Sequence, residues 1–298
     1  MQNHLHLHSV FGDSLCDTGN NDFLSTLAKA NYPPYGSDFP SGPTGRFSNG
    51  RNFADFFAEF LGLPMLPRAK DPNLTDGLVT GLNYASGLCG ILPETGQIFG
   101  KCLSMDTQLN MFEDFVGNKL NSSFKSKEEL SNYLANTIVF FYFGSNDLFA
   151  TVFFQGPLAD RLYNLGIRKI IVPEVGPLGC VPAIAGVLGH CQDDVNKSAQ
   201  HHNGLLARLL KSLQTTLQGS IFVLAKFFSS GLNDGSHPCC EAALKGIGVL
   251  CVPQHHACED ASKHFFWDGV HGTEIVFSFM STGCINDTAI CSPTLKEL

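Results

Sequence analysis

Thr137-Ile138-Val139-Phe140-Phe141-Tyr142-Phe143 is an unbroken apolar run that stops at Gly144. It has the length of a strand rather than a helix, and a strand apolar along both sides is covered on both faces. Other strand signals stand at Leu7-His8-Ser9-Val10-Phe11, Lys169–Pro173 and Ser220–Ala225, with a short one in Leu82–Gly87 that turns into a Gly-rich loop. Helical spacing fills the intervals. Phe53, Phe56, Phe57, Phe60 and Leu61 fall on one stripe before Gly62; Met105, Leu109, Phe112 and Val116 form another. Further helices are expected over about Lys127–Asn136, Leu158–Leu165 and Asp193–Leu217. Strands alternating with helices predict an α/β fold, a parallel sheet with helices on both faces. Residues 31–52, rich in Pro, Gly, Ser and Asn, read as a long surface loop. No repeat or linker interrupts the pattern, so residues 1–298 are expected to form one domain.

Open α/β sheets place their chemistry at the carboxyl ends of the strands. Gly12-Asp13-Ser14-Leu15 follows the first strand. A serine nucleophile needs a base, and the base needs an orienting acid. Asp268-Gly269-Val270-His271 offers both, and on a helical turn the two side chains would share a face. The oxyanion formed during acyl transfer needs donors. Gly87, after the Leu82 strand, could offer its N–H, and Asn146, in Gly144-Ser145-Asn146-Asp147, its amide. Turn chemistry for Gly87 and Gly144, and helix capping for Asn146 and Asp147, are the plainer readings of each taken singly.

These segments resemble the blocks of the plant-type GDSL esterase/lipases of the SGNH hydrolase superfamily. The match runs in order through Val10–Asn21, Gly81–Gly87, Gly144–Asp147 and Phe266–Glu274, with Gly45–Arg51 and Gly176–Pro182 also similar. The resemblance implies a flavodoxin-like three-layer α/β/α sandwich. It implies Ser14 as nucleophile and first oxyanion donor, Gly87 N–H and the Asn146 side chain as the other donors, His271 as base and Asp268 as its partner. The expected function is a serine ester hydrolase working through an acyl-enzyme. Alternatives are an acyltransferase using the same site, or an impaired family member that only binds glycan or lipid. Departures from the family pattern are short connections between Asp147 and Leu158 and after Ala225, a compressed tail, Gly272 in place of a usual proline, and His4, His6 and His8 at alternate positions of the first strand.

A formal net charge of −8 without a basic stripe argues against nucleic acid as a partner. The expected partner is a small-molecule, lipid or cell-wall ester; no apolar stretch is long enough to span a membrane. No cofactor is implied. The 11 cysteines point to an oxidising compartment and, being odd in number, leave one unpaired within the chain. Cys89/Cys102, Cys180/Cys191 and Cys284/Cys291 bracket loops, and Cys239, Cys240, Cys251 and Cys258 form a further cluster. Short-range disulfides are the expected reading, with connectivity left open, and the cluster with His255 and His256 could alternatively hold zinc. Cys16 is expected to be the free, partly buried thiol. Sequons at Asn73, Asn121, Asn196 and Asn286 fit a secreted glycoprotein, although the first residues carry neither a basic nor an apolar signal region.

Overall fold

The computed structural model describes residues 6–74, 81–148, 157–228, 237–242 and 248–298. Five parallel strands make one sheet: β1 (His6–Gly12), β2 (Leu82–Asn83), β3 (Thr137–Tyr142), β4 (Lys169–Pro173) and β5 (Ile221–Ala225). Their order is β2-β1-β3-β4-β5, the flavodoxin-like arrangement, in which the sheet grows one way from β1 and the other way from β3. Every residue of β3 is buried, as its unbroken apolar run requires.

The two faces of β3 explain the layers. Ile138, Phe140 and Tyr142 pack toward α1 (Phe53–Phe60) and a long helix near the carboxyl terminus, Glu274–Asn286. Val139, Phe141 and Phe143 pack toward α2 (Met105–Asp114), α3 (Lys127–Ala135), α5 (Pro157–Asn164) and α7 (Asp193–Thr216). The short helices α4 (Ser145–Leu148) and α6 (Pro182–Leu188) precede α5 and α7 in the chain, and Glu274–Asn286 is α8. Asn52 starts α1 by a reciprocal cap: its Oδ1 accepts from Ala54 N at 3.1 Å, while Asp55 Oδ2 accepts from Asn52 N at 2.9 Å.

Three expectations change. The short connection after Asp147 does supply a crossover helix, since α5 buries Ala159 and Leu162 against the sheet; residues 149–156 lie outside the described residues. The His6/His8 alternation is broken by a register shift between Leu7 and Ser9 where β1 pairs with β3, and His4 lies outside the described residues. Most consequentially, residues 31–52 are only in part a surface loop: Asn31, Pro33, Ser37, Asp38, Pro40 and Ser41 are exposed, but the rest turns inward. Tyr35, Phe47 and Ser48 are buried, and Arg46 lies against Asp55. The polar residues of this stretch serve internal bonds, such as Asn49 Nδ2 to Asp38 Oδ2 at 2.6 Å.

Ten cysteines are paired: Cys89–Cys102, Cys180–Cys191, Cys239–Cys258, Cys240–Cys251 and Cys284–Cys291, with Cys16 buried and free. The cluster weighed as a zinc site is thus consumed by two disulfides. Among the described residues, no helix is long and apolar enough to cross a membrane.

Candidate active site

The carboxyl ends of β1 and β3 are adjacent, and the chain's chemistry gathers there. Gln108 of α2 clamps the end of β1, accepting from Gly12 N at 3.0 Å and donating to Gly12 O at 2.8 Å. The chain then turns sharply, with Cys16 N and Asp17 N both donating to Asp13 O at 3.2 and 3.1 Å. Ser14 sits in this turn. The loop that follows is stitched to the end of β2: Asn20 Nδ2 donates to the carbonyls of Asn83 and Ala85, both at 2.9 Å, and Asn21 Oδ1 accepts from Ser86 Oγ at 2.6 Å.

His271 arrives from the far end of the chain. Ser14 Oγ lies 2.7 Å from its Nε2, and its Nδ1 lies 2.7 and 2.9 Å from Oδ2 and Oδ1 of Asp268. The expected helical turn between Asp268 and His271 is absent. Instead, Asp268 Oδ1 accepts from Val270 N at 2.9 Å and His271 N at 2.8 Å, an aspartate-capped turn that presents the ring. Asn49 Oδ1 accepts from Glu274 N at 2.8 Å, and Arg51 Nε donates to Glu274 Oε1 at 2.6 Å, so the Gly45–Arg51 segment anchors the chain beyond His271. Asp268 and His271 are 0% and 1% exposed, whereas Ser14 keeps 5%, so the hydroxyl is the member of this chain of bonds most open to the cleft.

Asn146, the second residue of α4, points its amide to Cys89 O at 2.8 Å and, more loosely, to Asp13 Oδ2 at 3.4 Å. One N–H is therefore anchored and the other weakly held. Its neighbour Asp147 is buried and gathers Ile91 N, Leu92 N and the Thr95 hydroxyl at 2.8–3.1 Å, which fixes the wall opposite. Burial pushes the Asp13 carboxyl up to about 7, against the opposing pull of Leu15 N–H and His271.

Gly87 does not serve the cleft as expected. Its N–H donates to Asp17 Oδ2 at 2.9 Å and Asn21 Oδ1 at 3.1 Å, so the donor is already committed. What the position requires is the absence of a side chain: a Cβ there would lie 2.5 Å from Phe47 Cε2 and Cζ. The Phe47 ring in turn packs on His271 at 4.9 Å between centroids. Ser14 N–H has no hydrogen-bond partner among the described residues. Leu88, with φ 58, holds a left-handed conformation and lines the cleft.

Sequence reasoning missed Tyr35 altogether. Its hydroxyl donates to Asp268 Oδ2 at 2.5 Å and accepts from Cys251 N at 3.1 Å. The signal that hid it was composition, since Tyr35 stands in a Pro/Gly-rich stretch that reads as exposed.

A cavity of about 610 Å³ opens beside Ser14. Leu88, Ile98, Ile184, Phe265, Val276 and Met280 are among its walls; Glu94 and Asp13 are its acidic members, and no Lys or Arg lines it among the described residues.

A family model described as GDSL-like Lipase/Acylhydrolase matches residues 9–275. GDSL esterase/lipase 7 of Arabidopsis thaliana is 36% identical, over 89% of this chain and 83% of its own length. From the same plant, GDSL esterase/lipase At4g16230 is 37% identical over 89% and 82% of the two chains, and GDSL esterase/lipase At2g04020 is 34% identical over 95% and 85%.

Proposed function

Because the chain belongs to the GDSL-like lipase/acylhydrolase family, and is on that ground a carboxylic ester hydrolase, we propose that Ser14, His271 and Asp268 carry its reaction through an acyl-enzyme. The observation that carries this reading is the unbroken line from Ser14 Oγ to His271 Nε2 at 2.7 Å and from His271 Nδ1 to Asp268 Oδ2 at 2.7 Å. In this reading Ser14 Oγ attacks the ester carbonyl carbon while His271 Nε2 takes the hydroxyl proton. Asp268 keeps Nδ1–H pointed at itself and stabilises the imidazolium. Ser14 N–H and the loosely held Asn146 N–H receive the oxyanion. Collapse expels the alcohol, which takes the proton from His271; water then repeats the sequence on the acyl-serine and releases the acid.

The largely apolar cavity beside Ser14, which no Lys or Arg lines among the described residues, favours an uncharged ester whose acyl part is apolar. Five disulfides favour maturation in an oxidising compartment and an extracellular protein. Asn73 and Asn121 are exposed and are the proposed glycan acceptors; Asn286 is set aside because its amide donates to Thr282 O at 2.9 Å. Asn196 is set aside, because its side chain binds Gly179 N at 2.8 Å and Cys180 Sγ at 3.3 Å.

Hydrolysis of p-nitrophenyl butyrate tests the mechanism. Ser14→Ala is expected to lower kcat by more than about 10³-fold, and a fluorophosphonate to add covalently to Ser14 in the native protein. Unchanged turnover in Ser14→Ala would overturn the proposal.

A further inference from the structure

We infer that Tyr35 is a positioning residue of the Ser14–His271–Asp268 line, its hydroxyl sharing the Asp268 carboxylate with His271 and tying that carboxylate to Cys251, itself disulfide-bonded to Cys240. The inference rests on the acyl-enzyme reading above.

The geometry is specific. Asp268 is fully buried, and each of its oxygens is occupied. Oδ1 takes the backbone N–H groups of Val270 and His271, and Oδ2 takes Tyr35 Oη at 2.5 Å together with His271 Nδ1 at 2.7 Å. Oδ2 is therefore the oxygen for which the base and the phenol compete. The phenol is itself oriented: Cys251 N donates to Tyr35 Oη at 3.1 Å, leaving the hydroxyl proton free to point at Asp268. Cys251 is held by its bond to Cys240, and its carbonyl accepts from Tyr32 Oη at 2.9 Å. The rings of Tyr32, Tyr35, Phe47 and His271 follow one another at centroid separations of 5.4, 6.0 and 4.9 Å. Tyr35 thus sets both where the carboxylate lies and how much of its charge reaches the imidazole.

Burial and the adjacent Asp268 hold the Tyr35 phenol well above its ordinary range, so it remains a proton donor at working pH. Among the described residues, the other titratable groups facing this cluster are Tyr32, whose phenol burial and Asp268 push up to about 12, and Asp13, whose carboxyl burial pushes up against the pull of His271. Neither hydrogen-bonds to Asp268.

A hydrogen bond to the charged form of a carboxylate stabilises that charge and weakens its hold on a neighbouring cation. Removing the phenol leaves Oδ2 to His271 Nδ1 alone. In Tyr35→Phe the acid limb of kcat/KM against pH, which reports protonation of the base, is expected to move to higher pH by about half a unit or more. The kcat is expected to fall about tenfold with KM within about twofold, because substrate does not touch Tyr35. Tyr32→Phe is the control: it loosens the same segment without touching Asp268, so it should lower the melting temperature and leave the acid limb in place. Site-specific 3-fluorotyrosine at position 35 keeps the fold and strengthens the donor; it should move the limb to lower pH, which keeps the inference testable if Tyr35→Phe does not fold. An unmoved limb in both position-35 variants, or an equal shift in Tyr32→Phe, would overturn it. Ser14→Ala run alongside separates this failure from that of the mechanism: if Ser14→Ala abolishes turnover while native protein turns over, the mechanism stands whatever Tyr35 does.

Discussion

Arg46 and Asp55 form a buried, two-pronged ion pair, and replacing the arginine tests whether it locks the Tyr35–Phe47 segment to α1. Arg46 Nε donates to Asp55 Oδ2 at 2.7 Å and Nη2 to Oδ1 at 2.6 Å, with the two side chains 7% and 1% exposed. Asp55 Oδ2 has one other donor, Asn52 N at 2.9 Å. Arg46→Met fills the volume of the stem but leaves a carboxylate almost wholly out of water with a single neutral partner. Breaking one side of such a pair costs about 3–5 kcal/mol. For a chain of this size, that corresponds to a fall of roughly 6–10 °C in melting temperature, using the conversion for large domains at its low end. Differential scanning calorimetry or urea unfolding reads it directly. Salt is expected to leave the difference between variant and native protein unchanged, because the pair is shielded from the ion atmosphere. The double variant Arg46→Met, Asp55→Leu should recover part of the loss, since it removes the orphaned charge but also the acceptor of Asn52 N. A single-variant cost under about 1 kcal/mol, or a deficit that disappears in high salt, would refute the reasoning.

Three further outcomes are expected. Asn146→Ala should lower kcat on p-nitrophenyl butyrate by about 10²–10³-fold with KM little changed, as loss of an oxyanion donor does; a change confined to KM would assign Asn146 to ground-state binding instead. Gly87→Ala keeps its N–H but drives a methyl against Phe47, so stability should fall by about 1–3 kcal/mol and turnover with it; native activity would show that the ring can give way. Asp17 is pushed up to about 7 by burial, against the N–H groups of Gly19, Gly87 and Asn20. A folded-state value above the ordinary one means that the stabilising contribution is full below about 4 and is lost as pH rises through about 7. Melting temperature should therefore decline across that window, and Asp17→Asn should flatten the slope; an identical slope in the variant would count against it.

Much of this molecule can be read along the chain. The apolar run at β3 announces a strand covered on both faces, and the Phe53–Phe60 stripe announces α1, because burial on one or two sides leaves a periodicity that local sequence records. The order of elements implies the sheet, and Ser14, Asp268, His271 and Asn146 stand out because each lies in a short, recognisable motif at a strand end or loop. Loop geometry is less legible. Gly87 looks like a donor by spacing, yet its N–H is spent on Asp17 and Asn21, and its role is to admit the ring of Phe47.

Residues 31–52 mark the boundary most clearly. Their composition says turn and solvent, and nothing local distinguishes polar groups that face water from polar groups that satisfy one another inside. Only the folded chain brings Tyr35 within 2.5 Å of Asp268 and lays Phe47 on His271. Sequence by itself determined the α/β alternation, the hydrolase motifs and an oxidising history for the cysteines, since all of these are carried by residue type and near-neighbour spacing. Tertiary structure alone decided how Cys239, Cys240, Cys251 and Cys258 pair, which N–H groups remain unspent at Ser14, and which phenol holds the acid. Those depend on which groups the fold brings together and buries, from Cys240 and Cys251, 11 positions apart, to Tyr35 and Asp268, 233 positions apart.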